Sequence, residues 1–500
     1  MLCRTSRFSQ MTAACSGLNR QEGISMHGTS SSIFRNRSAA GLRFIVAAGA
    51  LALSLGTALA QVAFDAPDAS YQGRARAGAA EMGQPVYSGS EIKVSGQNFK
   101  PGQEVTILRG AQTLGDGPIT ADQEGKFEAT FKLPEDAATG THPLVLTTAA
   151  PYHAEIVELK VSPQVPLSGA DKFEIKDNKL VSGLYQSAYS AKNDAVFVTS
   201  AVGRPPVKES ALVKVNPETL EIVAQVSPAE APAREDGREG GVYAVYGVAV
   251  DDANDNVWVT NTRQNTVAVY KQSDLSLVKQ FEPGAVPHAR DVVVDEKGAK
   301  AYATATGTPN VAVFDAGSLE PAGTIEIKSG KRGENFSVGS LKFDAGSGKL
   351  FTVSLSTDEA AIIDAASGEV EKVFPIEGSR GAIGVAYDGE TKRIFVASQG
   401  SDNVLIVDAE SGKTLHNVPV GAGALNVTFD PVSKHAYVSN RGAGTVTVVD
   451  VDGNIVANLE NAPFANHVAI DGKGDVFAIN KAQGKDNPAN DRITRISPKK

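Results

Sequence analysis

The sequence predicts an all-β chain in which a seven-bladed β-propeller follows a small β-sandwich and a signal peptide. Three observations carry this. One strand with an aromatic in second place recurs seven times, at Phe197, Trp258, Tyr302, Phe351, Phe395, Tyr437 and Phe477. The recurrences stand 61, 44, 49, 44, 42 and 40 residues apart, the period of multi-stranded propeller blades. Only one long apolar run exists, and it lies near the amino terminus.

That run, Phe44 to Gly56, follows Arg35, Arg37 and Arg43 and precedes Ala58-Leu59-Ala60. A basic region, a short apolar stretch and a small-x-small site describe a secretory signal, too short to span a bilayer comfortably. Residues 1–60 are therefore expected to be a Sec-type signal region, with Gln61 first in the mature chain and an uncleaved anchor as the alternative. Met26 is an alternative start to Met1. The expected location is periplasmic or secreted, with no stable membrane span after cleavage. Both cysteines, Cys3 and Cys15, lie in the leader, so the mature chain is expected to hold no thiol nucleophile, disulfide, haem-attachment or zinc-cysteine site. The leader takes six of the 48 Lys+Arg and one of the 57 Asp+Glu, leaving 42 basic and 56 acidic residues, a net charge of −14. Such a chain repels polyphosphate unless its cations gather on one surface.

Residues 61–84 are Ala/Gly-rich without apolar periodicity and read as a flexible linker. Residues 85–163 then alternate: Glu91-Ile92-Lys93-Val94, Glu104 to Leu108, Lys126 to Phe131 and Leu144-Val145-Leu146, with turns at Pro101-Gly102 and Glu124-Gly125. Short strands with one apolar face describe a sandwich. The stretch Val94-Ser95-Gly96-Gln97-Asn98-Phe99-Lys100-Pro101-Gly102 resembles the opening of a bacterial Ig-like module. Such modules are usually spacers or docking platforms.

Residues 171–500 are read as the propeller. Each unit opens with an inner strand such as Gly384-Val385-Ala386-Tyr387-Asp388. The aromatic strand follows, then a third such as Val404 to Asp408, then a weaker fourth. Sheets buried on both faces must stack in a ring, with the aromatic wedged between neighbours. The last unit lacks a fourth strand, and Lys172-Phe173-Glu174-Ile175 stands unassigned before the first. If that segment pairs there, the ring is latched and no edge is exposed. Six and eight blades are the alternatives to seven.

The strands Val257-Trp258-Val259-Thr260-Asn261 and Ala436-Tyr437-Val438-Ser439-Asn440, each followed by a hairpin, resemble the YVTN repeat, and residues 171–497 resemble the exported YncE-like propellers. The resemblance implies a seven-bladed ring and, from the type member, single-stranded DNA binding. The sandwich in front and the acidic balance depart from that family and weigh against the nucleic-acid activity.

Propeller ligands usually sit at the channel mouth, on loops entering the first strand and loops joining the second strand to the third. Those segments hold Arg204, Tyr246, Arg263, His288, Arg290, Arg332, Asn335, Phe336, Arg380, Asn426, Arg441 and His467, the candidate binding residues. Guanidinium forks there would suit carboxylates, phosphates and backbone oxygens. The competing reading is solvated loop charges paired to acids such as Glu334, Glu377 and Asp402. A metal shared by His288 and His467 across the channel is a competing reading, but no His-x-x-x-His pair exists and ordinary hydrogen bonding is the simpler one. Asp388, Asp430 and Asp471 recur where an aspartate caps its own turn. Ser411-Gly412-Lys413-Thr414 mimics a phosphate loop, but Val407 replaces the first glycine and no helix follows, so it is a turn. No catalytic motif, metal or cofactor is expected. The reading is a monomeric, non-enzymatic binding protein with a protein or peptide partner. A single-stranded DNA binder and a metal-dependent lactonase or lyase using Asp291, Asn426 and His467 are the alternatives. The charged insertion Pro228 to Gly241 is read as a partner-contact loop.

Overall fold

The structure, a computed structural model, describes residues 64, 68–233, 237–482 and 487–499. The predicted signal region and Arg234–Asp236 at the centre of the charged insertion lie outside them. The insertion's two ends meet in an antiparallel bridge, Glu230 to Val242. No helix among the described residues is long and apolar enough to cross a membrane.

The chain is all-β. Two sheets form the amino-terminal part. One pairs Arg74–Ala79, Glu91–Gln97 and Phe127–Lys132. The other is built from Glu104–Arg109, Gly140–Ala149 and Tyr152–Val161, with two short strands added. Alternation directs Ile92 and Val94 from one sheet and Val105, Ile107, Leu144 and Leu146 from the other into one shared core. The stretch expected to be a linker includes the strand Arg74–Ala79. Its alanines Ala75, Ala77 and Ala79 pack against this core, and their small side chains carry too little apolar contrast to mark a strand in the sequence.

From Phe173 onward the described residues form seven four-stranded antiparallel sheets. The first six cover residues 184–226, 248–280, 289–326, 338–375, 382–419 and 424–460, each strand pairing with the next in sequence. The seventh takes three strands from 465–498 and its outer strand from Phe173–Lys179, with Ile496 opposite Ile175. The first strands touch in order, and that of the seventh sheet touches that of the first. This is a propeller-like arrangement. Each recurrent aromatic is buried and packs into the next sheet: Trp258 against Ala289 and Phe314, Phe395 against Phe429, and Phe477 against Leu184 and Val196. A side chain of this size buried between sheets contributes about 2–3 kcal/mol, so the repeat supplies one large apolar tie per neighbouring pair. Turn aspartates behave as their position demands: Asp430 accepts from Ser433 N at 2.8 Å, and Asp471 from Lys473 N at 2.7 Å.

The first strands carry a second set of ties. Six of them show a register irregularity near their start, such as that between Ala289 and Val292 or between Ala424 and Asn426. An extra residue in a strand leaves a backbone N–H without its ladder partner. The neighbouring sheet's side chain supplies the acceptor. Gln186 Oε1 accepts from Val248 N at 3.2 Å, Asp291 Oδ2 from Leu341 N at 3.0 Å, Asn426 Oδ1 from Val468 N at 3.0 Å, and His467 Nδ1 from Ser187 N at 3.3 Å. Gly384 holds the same place in the fifth sheet, where a Cβ would stand 2.9 Å from the Asn426 Cα. The strands approach too closely there for any side chain.

Candidate functional site

The loops entering first strands and those joining second to third strands share one face, and side chains from five sheets meet there beside the channel. Tyr185 and Tyr246 pack edge to face, with ring centroids 4.7 Å apart. The Arg263 guanidinium stands 5.9 Å from the Tyr246 ring, the Lys481 ammonium 4.4 Å from the Tyr185 ring, and the Arg441 guanidinium 5.1 Å from the Phe464 ring. Cations over aromatic faces are held in place without being neutralised. Arg290 enters from the third sheet, and its Nε is buried without a hydrogen-bond partner.

The charges sense one another. Burial brings the Lys481 ammonium down to about 8, with Arg441 and Arg263 lowering it further and Asp491 opposing them. His288 is lowered by partial desolvation and then by Arg263 and Arg290. Burial, helped by Arg290, holds the His467 imidazole down to about 3, so the ring is neutral. Since His467 Nδ1 accepts from Ser187 N, its proton is assigned to Nε2. Asp291 is raised by burial against the pull of its backbone bond from Leu341 and the charge of Arg290. Among the described residues, no carboxylate lies within ion-pair distance of Arg263, Arg290, Arg441 or Lys481.

Other candidates from the sequence lie elsewhere. Phe336 requires correction: it is fully buried in the core between the third and fourth sheets, beside Tyr302 and Leu350, because an aromatic ring gains more there than beside the polar Lys331-Arg332 loop. Asn426 and His467 are engaged in the ties between first strands, as is Asp291, so the set expected of a lactonase-like centre is committed to the fold. Arg380 pairs with Glu158 at 2.5 Å. Arg204, Arg332 and Asn335 are exposed on loops. Among the described residues, no group of three or more His, Asp or Glu stands where it could hold a metal.

The sandwich occupies part of the same face. Lys160 donates to Asp402 at 2.7 Å and to the Gln399 carbonyl at 2.8 Å. Asp402 is buried and also accepts from Gly423 N at 2.6 Å. The segment after the sandwich bridges to Asn458 through Ser168. The fifth and sixth sheets are covered in this way, while the cluster of cations is not part of that contact.

Three participants were missed by the sequence reading. Tyr185 and Gln186 lie at the irregular start of the first sheet, and Lys481 directly follows the second strand of the seventh, Val476–Asn480. Lys342 is a fourth. It lines the channel of about 280 Å3 at a register place held elsewhere by Ala188, Ala249, Val293, Ala386, Thr428 and Ala469, and burial lowers its ammonium. A lone lysine in that aligned column was the available signal.

No family model matches the chain, and no curated protein matches it in sequence. A solved chain of Kuenenia stuttgartiensis hydrazine synthase is similar in structure, with a TM-score of 0.50, over 61% of this chain and 94% of its own, at 17% identity. That likeness concerns the fold alone.

Proposed function

We propose that this protein is an exported, non-enzymatic binding protein of the YncE-like, YVTN-repeat type. In this reading it is a seven-bladed propeller with an Ig-like sandwich in front, released into the periplasm by its signal peptide, and its ligand binds at the channel face. The observation that carries the proposal is the convergence of Tyr185, Tyr246, Arg263, Arg290, Arg441 and Lys481 from five sheets, with the cations lacking ion-pair partners among the described residues. Loops held by a rigid ring are where binding residues concentrate. Engagement of Asp291, Asn426 and His467 in backbone ties supports a non-enzymatic role.

Single-stranded DNA binding is the second reading, favoured by cations set over aromatic rings. The net charge of −9 for the whole chain opposes it. Titration with an oligothymidine at low and high salt, beside metal analysis of the purified protein, separates the readings. Micromolar binding that weakens steeply with salt favours the DNA reading. A stoichiometric divalent ion overturns the non-enzymatic one.

A further inference from the structure

We propose that the mouth beside Tyr185 and Tyr246 is a binding site for a small solute bearing two or more oxyanion groups, carboxylate or phosphate. The inference rests on the binding-face reading above and narrows it to a ligand class.

Four permanent or near-permanent cations, Arg263, Arg290, Arg441 and Lys481, approach from the second, third, sixth and seventh sheets. Elsewhere on this face several such groups are neutralised, Lys160 by Asp402, Arg380 by Glu158 and Lys208 by Glu239, while Arg204 and Arg332 are single exposed cations. Here the acids nearby are Asp491 and Asp291. Asp491 is turned to the Gly183 N–H at 2.8 Å, and Asp291 to the Leu341 N–H at 3.0 Å. Arg290 contributes a second, independent sign. Its Nε is buried and has no hydrogen-bond partner among the described residues, and an unmet donor of this kind costs about 1–3 kcal/mol. An oxyanion accepts from guanidinium forks and offsets the repulsion that Arg441 and Arg263 add to the burial of Lys481. The phenols of Tyr185 and Tyr246 add donors without adding charge.

Three features select a small ligand over a long polyanion. The cations are gathered from four separate sheets beside a channel. Sandwich residues cover the fifth and sixth sheets on the same face. The acidic surface of the remainder repels an extended polyanion outside the cluster. Carboxylate and phosphate share the required geometry, so the source is left to the measurement.

The test is calorimetric titration of the purified protein with citrate, pyrophosphate, tetraglutamate and an oligothymidine at two salt concentrations. Saturable one-to-one binding of citrate or pyrophosphate is expected, and whichever binds identifies the source as carboxylate or phosphate. Arg290→Gln and Arg263→Gln are each expected to weaken that binding about tenfold or more, while Lys297→Gln, on an exposed turn, leaves it unchanged. Arg263 is exposed, so its variant tests the site even if Arg290→Gln folds poorly. Binding of the peptide or oligonucleotide alone, abolished by Arg263→Gln, overturns the small-ligand inference and leaves the binding face standing. Silence from all four probes overturns both.

Discussion

Two parts of one face treat the same residue types in opposite ways. Over the fifth sheet, Lys160 and Arg380 are matched by Asp402 and Glu158, and the pairs join the sandwich to the ring. Beside the first and second sheets, Arg263, Arg290 and Lys481 stand near two tyrosines with no acid within ion-pair distance among the described residues, Asp491 and Asp291 being turned to backbone N–H groups. Charge alone therefore does not mark a site, since both regions are basic on their loops. Pairing separates them. A matched cation holds two parts of the chain together, whereas an unmatched one is held for something outside it.

The comparison breaks most visibly at Asp402. Replacing it with alanine leaves Lys160 without its partner and Gly423 N–H without an acceptor, in a place with almost no access to water. The expected loss is about 3 kcal/mol, read as a lowered urea midpoint, and Arg263→Gln is expected to stay within about 0.5 kcal/mol of the parent. Equal losses at the two positions would erase the distinction. A smaller effect is expected where a polar side chain serves the ring and no ligand. Asn426→Ala leaves Val468 N–H unanswered between two first strands and is expected to cost about 1–2 kcal/mol by the same measurement.

These positions also show what a sequence can convey. The buried aromatics were legible because a residue that must wedge between sheets recurs once per sheet, and Phe173–Lys179 was legible because the last unit was one strand short. Arg263, Arg290 and Arg441 could be placed on the right loops once strands were assigned. The irregular starts of the first strands could not be seen, because an extra residue leaves no compositional trace. Asn426 and His467 therefore looked like ligand donors when they answer backbone N–H groups. Phe336 was misjudged from its polar neighbours, and Lys481 was lost in a loop whose hydrophilicity hid its burial against Tyr185.

Lys481 sharpens the comparison through pH. Its pKa in the folded chain is about 8, below the ordinary 10.5. The folded state thus releases that proton more readily than the unfolded one. Below pH 8 the charged amine destabilises the fold in full, and stability recovers as pH rises from about 8 towards 10.5. Lys481→Gln is expected to stabilise the protein at pH 7 by about 1 kcal/mol, allowing for water near the group, and to remove the rise in melting temperature between pH 8 and 10. A citrate or pyrophosphate complex is expected to shift that rise upward, since a bound anion favours the charged amine. A variant with unchanged slope would mean that Lys481 is not the group whose burial sets it.

The smallest effect is expected at the rim of the matched region. Arg380 and Glu158 meet at 2.5 Å, yet both side chains remain about half exposed, at 48% and 55%. Water screens such a pair, and ordering two long side chains offsets much of the attraction, so Glu158→Gln is expected to change stability by less than about 0.5 kcal/mol. Its informative readout is the freed guanidinium. If lack of an acid partner is enough to make a site, Arg380 in Glu158→Gln will begin to bind citrate or pyrophosphate. If the mouth depends on several cations held by aromatic rings beside a channel, titration of Glu158→Gln will show the parent's single site and no second one.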